Sequence, residues 1–194
     1  MNKYFLLITA IGILSCSESK FKNPHIIINT SLGEIEAELY PDKAPKTVSA
    51  FLQFVDSGVY SNTSFYRVLF NEGASTATNT GVIQGGTWPS DNKKFPFVKN
   101  IPHESTKVTG LTHANGILSL ARTGPGTAST EFFICIGNQN QFDLGGDTPD
   151  DGEGFSAFGK VVEGMDIVRK IQEQPKAGTD GFADKIIIYK IVRR

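Results

Sequence analysis

The chain reads as a mainly β protein, a closed barrel of eight antiparallel strands capped by two α-helices. Three observations carry this. Eight short apolar or alternating runs recur between residues 25 and 192, only two stretches carry a helical period, and the connections are rich in glycine. With few helices to cover its margins, such a sheet is best closed on itself, which leaves no unpaired edge.

The elements follow in order. His25–Thr30 and Glu34–Tyr40 flank Ser31-Leu32-Gly33 and read as a hairpin. In its second arm Ile35, Ala37 and Leu39 alternate with Glu34, Glu36 and Glu38, so the carboxylates are expected on a wet outer face. Pro41 to Pro45 breaks the strand and opens a helix, proline being tolerated in the first turn. Val48, Phe51, Leu52 and Val55 give that helix one apolar face, and Gly58 stops it. Strand signals recur at Ser64–Leu69, Val82–Gly85, Ile117–Ala121, Thr130–Ile136 and Ala157–Val162. A second helix runs from Gly164 through Met165, Ile167, Val168 and Ile171, and Lys185–Val192 closes the chain as a strand. Asn71–Thr80 and Asn138–Gly154 fit no regular element and read as mobile surface loops, the second holding the acidic run Asp147–Glu153.

The N-terminus reads as an address. Lys3 precedes an apolar run from Tyr4 to Leu14, too short to span a bilayer as a helix, so residues 1–15 are expected to be a signal peptide. Ile13-Leu14-Ser15-Cys16 resembles the lipobox of bacterial lipoproteins, which implies acylation of Cys16 and anchoring by lipid alone. Residues 16–24 then form a polar tether and residues 25–194 one domain with a single core. The balance of 19 basic against 20 acidic side chains argues against nucleic acid as a partner. With Cys16 acylated, Cys135 stands alone in an apolar run, which excludes an intrachain disulfide and marks a buried, inert thiol. His25, His103 and His113 lack metal-ligand spacing, so no metal is expected, and His113 is expected to make a structural hydrogen bond.

Five segments carry the chemistry: Phe65-Tyr66-Arg67-Val68, Val82-Ile83-Gln84-Gly85-Gly86, Gly116 to Pro125, Thr130 to Ile136, and Phe155 to Met165. Together they resemble the cyclophilin family of peptidyl-prolyl cis–trans isomerases, in a bacterial lipoprotein form, from about His25 to the C-terminus. The resemblance implies that Arg67 is the catalytic residue and that Tyr66, Val82, Gln84, Ala121, Arg122, Thr123, Glu131, Phe133 and Phe142 bind substrate. It implies no cofactor, proline-containing polypeptides as partners, a monomer, and export to a bacterial membrane facing the periplasm or cell exterior. A groove that grips proline segments with slow turnover is the second reading.

The chemistry suits the residue types. Rotation about a peptide bond meets a barrier of ~18–20 kcal/mol because the nitrogen lone pair is delocalised. A protonated guanidinium aimed at that nitrogen favours the twisted state over both planar ones. Departures from the family pattern are also legible. Tyr66 stands where histidine is common, Gly81 where an aromatic wall is common, with Trp88 a candidate to compensate, and Phe155 where histidine is frequent. Glu131 replaces a glutamine and is expected to pair with Arg67, partly neutralising it.

Overall fold

A computed structural model describes residues 21–71, 80–88 and 99–194. The signal peptide expected at 1–15, the acylation expected at Cys16, the expected tether as far as residue 20 and the interior of the 71–80 segment fall on residues outside those described.

The strands are β1 (His25–Thr30), β2 (Gly33–Leu39), β3 (Thr63–Phe70), β4 (Gly81–Gly86), β5 (Ile117–Leu120), β6 (Phe132–Ile136), β7 (Ser156–Glu163), β8 (Lys176–Ala177) and β9 (Gly181–Arg193). The helices are α1 (Pro45–Asp56), α2 (Thr106–Thr109) and α3 (Met165–Gln172). Hydrogen bonding runs β1-β2-β7-β5-β6-β4-β3-β9, and β9 returns to β1 with Ile28 opposite Ile191. The eight main strands therefore close into an antiparallel barrel, and two-residue β8 pairs only with the start of β9.

Every strand signal in the sequence marks a strand, because each has inward apolar side chains at alternate positions. The interior holds Ile26, Ile28, Leu39, Phe65, Leu118 and Ile188, with α1 contributing Phe51 and α3 Val168 and Ile171. Phe51 packs against Tyr60, Phe132 and Phe158 at ring-centroid distances of 5.2, 5.7 and 4.9 Å. The α1 N-cap, Ala44, has no side-chain acceptor to offer. Glu104 takes that role from a distant loop, accepting from the Lys46 and Thr47 amides at 3.2 and 2.8 Å and from the Thr47 hydroxyl at 2.7 Å.

Five features differ from the sequence-based expectation. Glu36 is only 5% exposed rather than on a wet face. His25 Nδ1 meets its carboxylate at 2.6 Å, Arg194 donates to it from the C-terminus, and Phe21 stacks on His25. Phe21, His25 and Arg194 cover that face, which a period-two pattern in one strand cannot show. Phe21–Pro24, assigned to the tether, thus lies against the barrel; Asn23 also donates to Glu38 and the Pro24 carbonyl accepts from Leu39.

The 138–154 segment, read as fitting no regular element, holds local structure. It has a 3₁₀ turn at Asn140–Phe142, its own backbone hydrogen bonds, and a fully buried Gln139. One-turn α2 has too few residues for a helical period. The β8–β9 turn was invisible because Lys176, Ala177 and Ala183–Lys185 are all exposed, leaving no apolar alternation to read.

Candidate active site

A bulge in β3 creates the site. Phe65 pairs with Gly85 and Arg67 with Gln84, so Tyr66 is the extra residue. In a regular strand, neighbours point to opposite faces; the bulge lets Tyr66 and Arg67 reach the same cleft. That cleft is about 660 Å³, and all ten residues expected at the site line it: Tyr66, Arg67, Val82, Gln84, Ala121, Arg122, Thr123, Glu131, Phe133 and Phe142.

Its apolar part is an aromatic box. Phe133, Phe142 and Phe155 meet edge to face, with centroids 5.2–5.6 Å apart. His113 is fully buried and stacks on Phe133 at 5.9 Å. One of its ring nitrogens pairs with Asp143 at 2.7 Å and the other with Ser119 at 2.9 Å, the structural role the sequence suggested. Burial pushes the His113 pKa down, although the Asp143 carboxylate opposes this, so the ring is neutral at pH 7.

The polar wall is a continuous chain. Tyr66 Oη donates to Glu131 Oε2 at 2.7 Å and accepts from Gln84 Nε2 at 2.7 Å. Arg67 Nη1 donates to Gln84 Oε1 at 3.3 Å, and Arg67 Nε donates to Asp180 Oδ2 at 2.6 Å. Burial, reinforced by the Glu131 charge, raises the Tyr66 pKa far above its ordinary value, so the phenol keeps its proton.

The expected Arg67–Glu131 pair is not formed. Glu131 is instead engaged by the Tyr66 hydroxyl and by the amides of Thr87 and Trp88 at 2.8 and 3.1 Å. Asp180, from the β8–β9 turn, takes Arg67 in its place. Both side chains of that pair are about two-fifths exposed, so the pair is worth at most ~1 kcal/mol.

Arg122 lines the cleft but its guanidinium is committed elsewhere. It is 1% exposed and binds Asp151 through two nitrogens at 2.6 and 2.8 Å, and the Gly154 carbonyl at 2.8 and 2.6 Å. The guanidinium lies over the Phe155 ring at 5.3 Å, bracing the acidic loop against the box. That bond pushes the Asp151 carboxyl down to about 2.

Sequence reasoning missed Leu69, Thr127, Thr148, Phe155 and Asp180 as lining residues. Phe155 was noted only as a departure from histidine, and it completes the box. Trp88 does reach the cleft, at an exposed edge. Gly81 explains the absent aromatic wall, because a Cβ there would lie 1.9 Å from the Leu69 carbonyl oxygen. Cys135 is fully buried, and burial pushes its thiol pKa well up, which makes it inert. Among the described residues no cluster of three His, Cys, Asp or Glu could hold a metal, and no helix is long and apolar enough to cross a membrane.

Residues 25–193 match the family model for cyclophilin type peptidyl-prolyl cis-trans isomerase/CLD. The chain is 34% identical over 166 residues to the peptidyl-prolyl cis-trans isomerase of Acinetobacter baylyi, covering 85% of this chain and 80% of that one. It is 34% identical over 148 residues to peptidyl-prolyl cis-trans isomerase B of Escherichia coli, covering 76% and 83%. A crystal structure of a Cryptosporidium parvum cyclophilin-type isomerase superimposes with a TM-score of 0.68 at 25% identity, covering 89% of this chain and 98% of that one. The same parasite protein, solved in the presence of the dipeptide Ala-Pro, gives 0.67 at 25% identity, covering 88% and 98%.

A closed antiparallel barrel whose cleft joins an aromatic box to a guanidinium fits the isomerases of peptide bonds. Within that class the chain belongs to the cyclophilin family, and its activity is peptidyl-prolyl cis–trans isomerisation.

Proposed function

We propose that Arg67 accelerates X–Pro isomerisation in exported, unfolded or partly folded clients, from a lipid-anchored position in a bacterial envelope. The observation that carries the catalytic reading is the Arg67 guanidinium in the same cleft as the aromatic box. The proline ring sits against Phe133, Phe142 and Phe155, leaving the preceding carbonyl free to swing. Arg67 keeps its charge and donates to the ring nitrogen as conjugation breaks, so the twisted state gains more than either planar isomer. Ala121, Arg122 and Thr123 offer main-chain groups beside the box; the Arg122 side chain is occupied. Support for a proline-containing ligand comes from the parasite relative studied with Ala-Pro.

Isomerisation of a proline-containing tetrapeptide tests this. Arg67→Ala is expected to lower kcat/KM about 100-fold, the scale of a lost transition-state donor; an unchanged rate rejects the assignment. The second reading, a groove that grips proline segments with slow turnover, is tested by the same assay. Peptide binding in the groove without turnover would establish that binding module.

The anchor rests on Ile13-Leu14-Ser15-Cys16 and the apolar run before it. Metabolic labelling with palmitate should mark the protein and fail with Cys16→Ala. Equal labelling of the two ends the lipoprotein reading.

A further inference from the structure

We propose that Tyr66, Glu131 and Asp180 are positioning residues that hold the Arg67 guanidinium from two sides through a polarised hydrogen-bond chain. The proposal rests on Arg67 as the acting group. The chain runs Glu131, Tyr66, Gln84, Arg67, Asp180, with a carboxylate at each end.

The end carboxylates dictate its sense. A carboxylate only accepts and a guanidinium only donates. A phenol has a single proton, and here it goes to Glu131, so the phenol oxygen must accept from the Gln84 amide NH₂. That leaves Gln84 Oε1 facing Arg67 Nη1. The opposite amide orientation would set an NH₂ against a guanidinium, donor to donor. Glu131 therefore fixes the acceptor presented to Arg67 without touching Arg67.

From the other side Asp180 takes Nε–H. Among the described residues Nη2 has no partner, which leaves donors for a prolyl nitrogen. Two backbone features serve this chain. The β3 bulge places Tyr66 beside Arg67 in the cleft. Gly86, at φ +149°, leaves room for the Glu131 carboxylate, which a Cβ would approach to 2.5 Å. Neither Tyr66 nor Asp180 belongs to the aromatic box, so losing either should leave peptide affinity in place and misdirect the donor.

The test uses full-length protein, the tetrapeptide assay, and the Arg67 Nε–H signal in ¹⁵N-correlated NMR spectra. Tyr66→Phe, which cannot accept from Gln84, is expected to lower kcat about tenfold with KM within about twofold, the signature of an interaction made in the transition state. Tyr66→His again supplies one donor and one acceptor and should restore most of the loss. Asp180→Ala should lower kcat and move the Arg67 Nε–H signal, whereas Asp180→Asn keeps an acceptor and recovers kcat. If Tyr66→Phe does not fold, Asp180→Ala decides, because Asp180 lies in a half-exposed turn. Both variants at wild-type kcat, or a rise in KM alone, overturns the positioning role. Arg67→Ala at full activity overturns the catalytic assignment itself, so the two failures are told apart.

Discussion

His113 supports the floor of the box from beneath Phe133, and its protonation state is set by its surroundings. Its folded-state pKa lies below the ordinary value of about 6.5 because burial disfavours the charged ring. Below about pH 6.5 the unfolded chain binds a proton that the folded chain refuses, so acidification removes stability, by at most about 1.4 kcal/mol per pH unit for one such group. Above that pH both states are neutral and the effect vanishes. Urea unfolding between pH 7 and 5.5 should show midpoints falling with pH, and His113→Gln should flatten the slope; parallel slopes would assign the dependence elsewhere. Glu131 is the other residue whose role changed. Were Glu131 paired with Arg67, Glu131→Gln would raise kcat/KM by freeing the cation. With Glu131 anchoring Tyr66, Thr87 and Trp88, the expected outcome reverses to a fall.

Elements are held at their ends by residues far away in sequence. Glu104 satisfies the N-terminus of α1 from 57 or 58 residues downstream. Glu104→Ala strands a buried hydroxyl and amide and should cost about 1–3 kcal/mol, read as a lower urea midpoint at unchanged slope. No loss would mean that water replaces the carboxylate. Gly81 begins β4 with φ +152°, a conformation that side-chain-bearing residues rarely adopt. Restoring an aromatic there should therefore fail. Gly81→Phe is expected to disrupt β3–β4 pairing and lower both stability and activity, and a variant with improved peptide affinity would contradict this. The barrel strands themselves were legible because inward apolar side chains alternate. The β8–β9 turn was not, and it supplies Asp180.

At the scale of the molecule, barrel order relates the proposed anchor to the cleft. Going either way round, β1-β2-β7-β5-β6 or β1-β9-β3-β4-β6, β6 lies four steps from β1, on the opposite side. β6 carries Phe133 of the cleft, whereas the N-terminal segment enters at β1, fixed by Phe21, His25, Glu36 and Arg194. A tether at that end would leave the cleft turned from the surface that holds it. The acylated protein in vesicles should therefore turn over a soluble tetrapeptide as fast as unacylated Cys16→Ala. A marked slowing on the vesicle would place the cleft against the membrane.

Local patterning indicated the barrel strands, the two capping helices and the buried thiol, and the resemblance of five short segments to the cyclophilin family implied which of them meet in the cleft. These follow from alternation, helical period and short motifs, all properties of neighbouring residues. Tertiary structure alone decided what Arg67 touches. Ion pairs are chosen by distance in space, and Asp180, which is 113 residues away, comes closer than any acid the strand pattern could nominate. The same holds for buried Glu36, since a carboxylate's exposure depends on what other chain segments lay over it.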